Sequence, residues 1–253
     1  LLWLVIQGQG GIQRWAGISA CLVLFAGLIQ LSSRAVFIAF LLIVNGAFPF
    51  LLFRGRKRLQ FFFTSAFISV AVLLLIYNVD SFKTRYVSEL KTDLTDKVKI
   101  VENTEPRLTR WEVIVELIRQ SPWIGYGSGP ETDLLKAKYF EKGLYISYLN
   151  EFNTHNQYLA TLLKTGMAGL LLFLFIIYYG CAAAVKRKDL LLLAFMIMII
   201  VVSLSENILD LNKGIFFYGF FFSMLLLYPE IKAVKNSASS ISAAGNPEGS
   251  ISV

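Results

Sequence analysis

Residues 156–180 read NQYLATLLKTGMAGLLLFLFIIYYG, with one charge in 25 positions, and the basic run Lys186, Arg187 and Lys188 follows shortly after. At 1.5 Å per residue a helix of that length extends about 37 Å, more than the roughly 30 Å hydrocarbon core of a bilayer. In lipid every backbone polar group needs an internal partner, so a stretch of this kind is read as a spanning helix.

The rest of the chain repeats the pattern. Of its 253 residues 56 % are apolar and 16 % charged, and the mean hydropathy is +0.61. Soluble domains average about 45–50 % apolar and about 25 % charged. The excess falls in long runs with no charge or one, which excludes a soluble globular enzyme and excludes disorder as the main state. Six spans are expected, at about 16–31, 35–53, 59–79, 156–180, 190–205 and 214–228. The expected fold class is therefore all-α, a polytopic membrane helical bundle. The expected divisions are a transmembrane region 1–79 with three spans, an outer loop region 80–155, a transmembrane region 156–236 with three more, and a tail 237–253. That tail is rich in Ser, Ala and Gly and reads as disordered. The chain starts at Leu1 inside the apolar stretch Leu1 to Ile6. This is read as the remnant of an earlier span in a product shortened at its N-terminus.

The net charge is +7, and its placement carries the information. Basic clusters lie at Arg54, Arg56, Lys57 and Arg58, at Lys186 to Lys188, and at Lys232 and Lys235. All fall on one side of the six-span scheme, the cytoplasmic side by the positive-inside rule. Region 80–155 holds 11 Lys/Arg and 12 Asp/Glu and is close to neutral, on the opposite, periplasmic face. Nucleic-acid binding would place a basic stripe on a folded polar domain, so no nucleic-acid partner is expected. Spans five and six have only about 15 or 16 clean apolar residues, near 23 Å. Either the membrane thins there or the link Glu206 to Lys213 dips into a protein-lined cavity. Cys21 and Cys181 lie far apart in apolar spans, where buried packing is expected and no disulfide framework is implied.

Within the outer region, Trp111, Ile114, Val115, Leu117 and Ile118 recur at helical spacing between Pro106 and Pro122,. This predicts an amphipathic helix lying on the membrane surface. Gly125 to Pro130 then reads as a flexible turn.

His155, the single histidine, stands where the outer region meets the fourth span. A neutral imidazole there can accept a proton and a protonated one can pair with phosphate, while a plain interfacial anchor is the competing reading. Arg34 sits at the outer end of the second span, on the side ordinary flanking arginines avoid. Its planar, always charged fork suits a pyrophosphate, and a snorkelling anchor is the alternative. Arg107 and Arg110 open the amphipathic helix, where a solvated face is the simpler reading for Arg110. Glu206 and Asp210 are carboxylates at the membrane edge, functional or merely part of a turn. With one His and no suitably placed thiols, no zinc cluster is expected. The sequence contains no P-loop and no G-x-S-x-G elbow, and Gly125, Gly127 and Gly129 lack the strand and helix of a dinucleotide turn.

His155-Asn156, nine residues, Gly166, two residues and Gly169 together resemble the signature of the O-antigen ligase family. Arg107, Trp111 and then Ser121-Pro122-Trp123-Ile124-Gly125-Tyr126-Gly127 are similar to an R-x-x-x-W … P-l-x-G-x-G segment of the same superfamily. Ser33-Arg34 followed by Ile38 approaches its S-R-x-x-x-L element, with Ile in place of Leu. The resemblance spans about Arg34 to Tyr228. It implies a GT-C-like membrane fold and a glycosyltransferase working on the periplasmic face of the bacterial inner membrane. That enzyme would pass a glycan from undecaprenyl diphosphate to a lipid A-core or other lipid or protein acceptor. The implied site has Arg34 and His155 as catalytic groups and Arg107, Asn156, Arg110 and Glu206 as substrate-binding groups. Gly166 and Gly169 would form a small-residue face against a neighbouring helix. No cofactor and no metal are implied, the lipid diphosphate being already an activated leaving group. A polymerase extending the glycan on its carrier shares this chemistry. A transporter of a lipid-linked anion would instead favour mid-span ionisable groups and broken helices, whereas spans two to four read as intact.

Overall fold

The computed structural model describes residues 11–31, 33–78 and 105–244. The described chain is helical, with no strand among the described residues. Helix α1 covers Gly11–Leu31, α2 Arg34–Leu42, and a π-helical turn Ile43–Ala47 joins α2 to α3, Phe48–Leu52. Helix α4 follows at Arg56–Tyr77. The outer region supplies α5 (Arg107–Gln120), α6 (Glu131–Glu141) and the single turn α7 (Tyr145–Leu149). Then come α8 (Gln157–Arg187), α9 (Leu190–Ser203), a 3-10 turn Ile208–Asp210 and α10 (Asn212–Ala244). Among the described residues three segments are long and apolar enough to cross a membrane, Arg34–Leu52, Arg56–Leu74 and Gln157–Arg187, and Trp15–Gly27 and Leu190–Ser203 are shorter apolar helices. The chain is thus an all-helical protein of multi-pass membrane character.

The packing has two centres. Phe173, Ile177 and Ala184 of α8 bury against Leu192, Phe195, Met196 and Ile199 of α9, with Ala47 of the π turn beside them. Gly180 makes this approach possible: a Cβ there would lie 2.8 Å from Met196 Sδ and 2.9 Å from Phe222 on α10. Helix α2 lays Ala35 and Ala39 on Val201, so the start of α2 and the end of α9 share one end of the bundle. The second centre is in the outer region. Val113, Ile114, Leu117 and Ile118 of α5 pack on Leu135 and Tyr139 of α6, Leu144, and Leu163 of α8.

That second centre corrects one expectation. The apolar face of α5 is not laid on a membrane surface, because protein covers it: Ile114 and Tyr139 are fully buried. The second and fourth spans are also not uninterrupted. The π turn at Ile43–Ala47 breaks the register of the second, and Gly166 takes non-helical angles inside α8 (φ 63°, ψ −163°). In the π turn Asn45 donates to Leu41 O at 2.9 Å and to Ser69 Oγ of α4 at 3.0 Å, tying the two spans together. The last helix runs to Ala244, eight residues into the stretch read as a disordered tail. Leu1 to Ile6, residues 79–104 and residues 245–253 lie outside the described residues, with the expectations made for them.

Candidate functional site

The sequence expects a small-residue face at Gly166 and Gly169 for a neighbouring helix. A turn takes that place instead. Residues Pro122–Gly127 enter the break in α8: Tyr126 N–H donates to Leu163 O (2.9 Å), Gly127 N–H to Lys164 O (2.8 Å), and Met167 N–H to Pro122 O (2.9 Å). These are the backbone groups a broken helix leaves unpaired, and the turn supplies their partners. Both glycines are required. A Cβ on Gly166 would fall on the Trp123 carbonyl and 2.5 Å from Ile124 N, and one on Gly125 would stand 2.6 Å from the Lys164 carbonyl. Gly166 sits at a φ of 63° that side-chain-bearing residues rarely adopt,. Gly169 is covered by the Thr165 side chain of its own helix. So the two glycine motifs, some forty residues apart in sequence, are two halves of one junction.

At the outer end of α8 the chain is organised around His155. Asn156 caps the helix, its carboxamide oxygen accepting from Tyr158 N–H (3.0 Å) and Leu159 N–H (3.2 Å). His155 precedes the cap in a left-handed conformation, φ 44°, which is strained for a non-glycine residue,. Its N–H donates to Asn153 Oδ1 at 2.9 Å. The imidazole meets the Phe152 ring edge-on at 5.9 Å. Its Nδ1 stands 3.5 Å from Glu206 Oε2, and the side chain keeps 26 % of its surface open. That separation is longer than a good hydrogen bond. The contact to His155, with the Arg107 charge behind it, holds the Glu206 carboxyl below the usual carboxylate range against partial burial.

Two residues of one face of α5 hold the two sides of this pair. Trp111 donates its indole N–H to Thr154 O at 2.9 Å, fixing the residue before His155. Arg107, one turn earlier, donates to Ser205 O at 3.3 Å, fixing the residue before Glu206. Thr154 and Asn156 are then joined to the Glu206 link by Asn207, which is only 3 % exposed. Its Oδ1 accepts from Thr154 Oγ1 and from Asn156 N–H, both at 2.8 Å, and its Nδ2 donates to Asp210 Oδ2 at 2.9 Å. Gln157 Oε1 accepts from Leu209 N–H at 2.7 Å, closing the link onto α8. Beneath it Lys164 lies between two carboxylates, 2.6 Å from Glu131 and 2.7 Å from Asp210. Burial pushes the Glu131 carboxyl up, and the Lys164 ammonium partly offsets this.

Arg34 opens α2 behind the Ser33 cap. A cation at a helix N-terminus works against the helix dipole. The packing of Ala35 on Val201 brings this end of α2 to the end of α9, just before Ser205 and Glu206. Between them an apolar cavity of about 430 Å³ is lined by Val36, Met198, Val202, Ile208, Gly214 and Phe217 among others.

Two substrate-binding expectations change. Arg110 is not on a solvated face: it is 7 % exposed and lies over the Phe152 ring at 4.8 Å. It supports the ring that the imidazole touches. Asn156, next to His155, spends its carboxamide oxygen on the cap of α8. Lys164, Glu131 and Asn207 went unnoticed in the sequence. The one available signal was Lys164, a lone charge in the run that reads as a span, the kind of residue that suggests a functional site. Among the described residues no group of His, Cys, Asp and Glu is placed to hold a metal ion.

A family model described as O-antigen ligase matches residues 19–174. No curated protein sequence matches the chain significantly.

Proposed function

The chain belongs to the O-antigen ligase family, and from that premise we propose that it transfers a glycan from undecaprenyl diphosphate to a lipid A-core or similar acceptor. The active face is the periplasmic side of the inner membrane, in a six-span, GT-C-like bundle. The observation that carries the reading is the convergence of Arg107, Trp111 and Asn207 on the His155–Glu206 pair. Three separated sequence elements meet there to hold one imidazole against one carboxylate.

In this reading the acceptor hydroxyl oxygen attacks the anomeric carbon of the lipid-linked sugar, and the bond from that carbon to the diphosphate oxygen breaks. The hydroxyl proton passes to His155, whose Nδ1 faces Glu206. That carboxylate fixes the tautomer and stabilises the imidazolium that forms. The leaving diphosphate gathers negative charge, and in this reading the guanidinium groups of Arg34 and Arg107 offset it. The apolar cavity beside Val36 suits the isoprenoid chain that follows the diphosphate. No nucleotide sugar enters this scheme.

The experiment is product identification with reconstituted protein, lipid-linked glycan and candidate acceptors. Release of undecaprenyl diphosphate with the glycan on the acceptor is the expected result. A lengthened glycan still on its carrier would make the protein a polymerase, and movement of the intact lipid without consumption would make it a transporter.

A further inference from the structure

Trp123 and Ile124 are large apolar side chains standing in the open, 73 % and 83 % exposed. They sit at the tip of the turn that enters α8, and the turn's height is not free. Ser121 Oγ donates to Gly125 O at 2.9 Å and closes the turn on itself, while the three backbone bonds to Leu163, Lys164 and Met167 fix it to the helix. Wherever α8 sits in the bilayer, Trp123 and Ile124 sit at the level of Gly166.

That level can be counted. From Gly166 to Val185, the residue before the basic run, is 20 residues without a charge, about 30 Å of helix and the thickness of a hydrocarbon core. With the Lys186 cluster at one headgroup layer, Gly166 falls at the opposite edge of the core. Below it α8 exposes Leu171, Leu172 and Phe175 outward, so the open pair on the turn continues a surface already suited to lipid. Trp is favoured at this depth, with its ring at the apolar edge and its N–H among headgroups.

We propose that the Trp123–Ile124 turn is a membrane anchor, seated in the interface of the bilayer on the His155 side. The outer region thereby grips the membrane through a turn as well as through its spanning helices. The nine residues from Gly166 back to Gln157 set the start of α8, two residues after His155, at most about 14 Å above the hydrocarbon edge. The occupant of the patch is lipid, not a second copy of the chain.

The test uses the full chain with Cys21→Ala and Cys181→Ala, in vesicles of phosphatidylethanolamine and phosphatidylglycerol. A spin label goes on Ile124→Cys in one sample and on Glu112→Cys, an exposed position of α5 beside Trp111 and so at the level of Thr154, in another. Trp123→Cys serves if the first variant does not fold. Collisional relaxation is read with oxygen, which concentrates in lipid, and with a water-soluble nickel chelate. The anchor predicts a ratio of oxygen to nickel accessibility severalfold higher at the turn than at 112. Equal ratios would place the turn in water and overturn the proposal. Protection from both reagents would mean that protein covers the patch, which overturns it too.

Discussion

His155 Nδ1 and Glu206 Oε2 lie 3.5 Å apart although neither residue is inside a helix of its own. Both are flanking residues, one before α8 and one after α9, and each is set by a bond to its preceding neighbour from α5. The pair is thus a product of the junction between outer region and bundle, and disturbing the junction should act on it.

Asn207 is the first place to look. Asn207→Ala removes the acceptor of Thr154 Oγ1 and Asn156 N–H and the donor to Asp210. Leaving buried groups unpaired costs about 1–3 kcal/mol. Thermal unfolding in detergent should show that loss. Transfer activity measured well below the new melting temperature should fall as well, because Glu206 is next in the chain.

Lys164 neutralises two carboxylates with little exposed surface. Lys164→Met strands both and should destabilise by about 3 kcal/mol. Adding Glu131→Gln and Asp210→Asn removes the stranded charges and should recover much of the loss. A melting temperature unchanged by Lys164→Met would show that the cluster is solvated.

The glycine junction makes a graded prediction. Gly166→Ala meets both a forbidden φ and the Trp123 backbone, whereas Gly169→Ala keeps an ordinary helical φ and meets the Thr165 side chain at its Oγ1 and its Cβ, a clash that rotation of Thr165 relieves only in part. The first should cost about 3 kcal/mol or more and the second less, having no forbidden φ and no clash with a second segment's backbone. Equal costs would restore the idea of a shared helix-packing face.

Much of this was legible from residue patterns. The spanning runs are long and nearly chargeless, so their helical state has one physical solution, and helices stand where five of the six spans are expected, with ends shifted by up to seven residues. The sixth starts as expected and continues to Ala244. Helix α5 was readable between its two prolines. What it packs on was not: an apolar stripe looks the same whether lipid or Leu135 and Tyr139 cover it. For the same reason Arg110 read as solvated when it stacks on Phe152. Gly166 was read for its size, while its use is a backbone conformation, which depends on a turn forty residues away. Asn207 gave no signal because an isolated asparagine in a polar link has no pattern.

Acidification gives a signed test. Glu206 has a folded-state pKa below its unfolded value, so it binds fewer protons when folded. Its contribution to stability is complete above the unfolded carboxylate pKa, about 4.3, and is lost as pH falls through the lower folded value. Wild-type protein should therefore lose melting temperature below about pH 5 more steeply than Glu206→Gln. The same variant should lower kcat by at least about tenfold, close to 1.4 kcal/mol of barrier, with little change in KM.

The most direct measurement is the rate of glycan transfer from undecaprenyl diphosphate by His155→Ala, beside wild type, in the same vesicles and at matched folded protein. Loss of a general base predicts a fall of about 10²–10⁴-fold in kcat, with the melting temperature nearly kept. A His155→Ala protein that turns over at the wild-type rate would contradict the account.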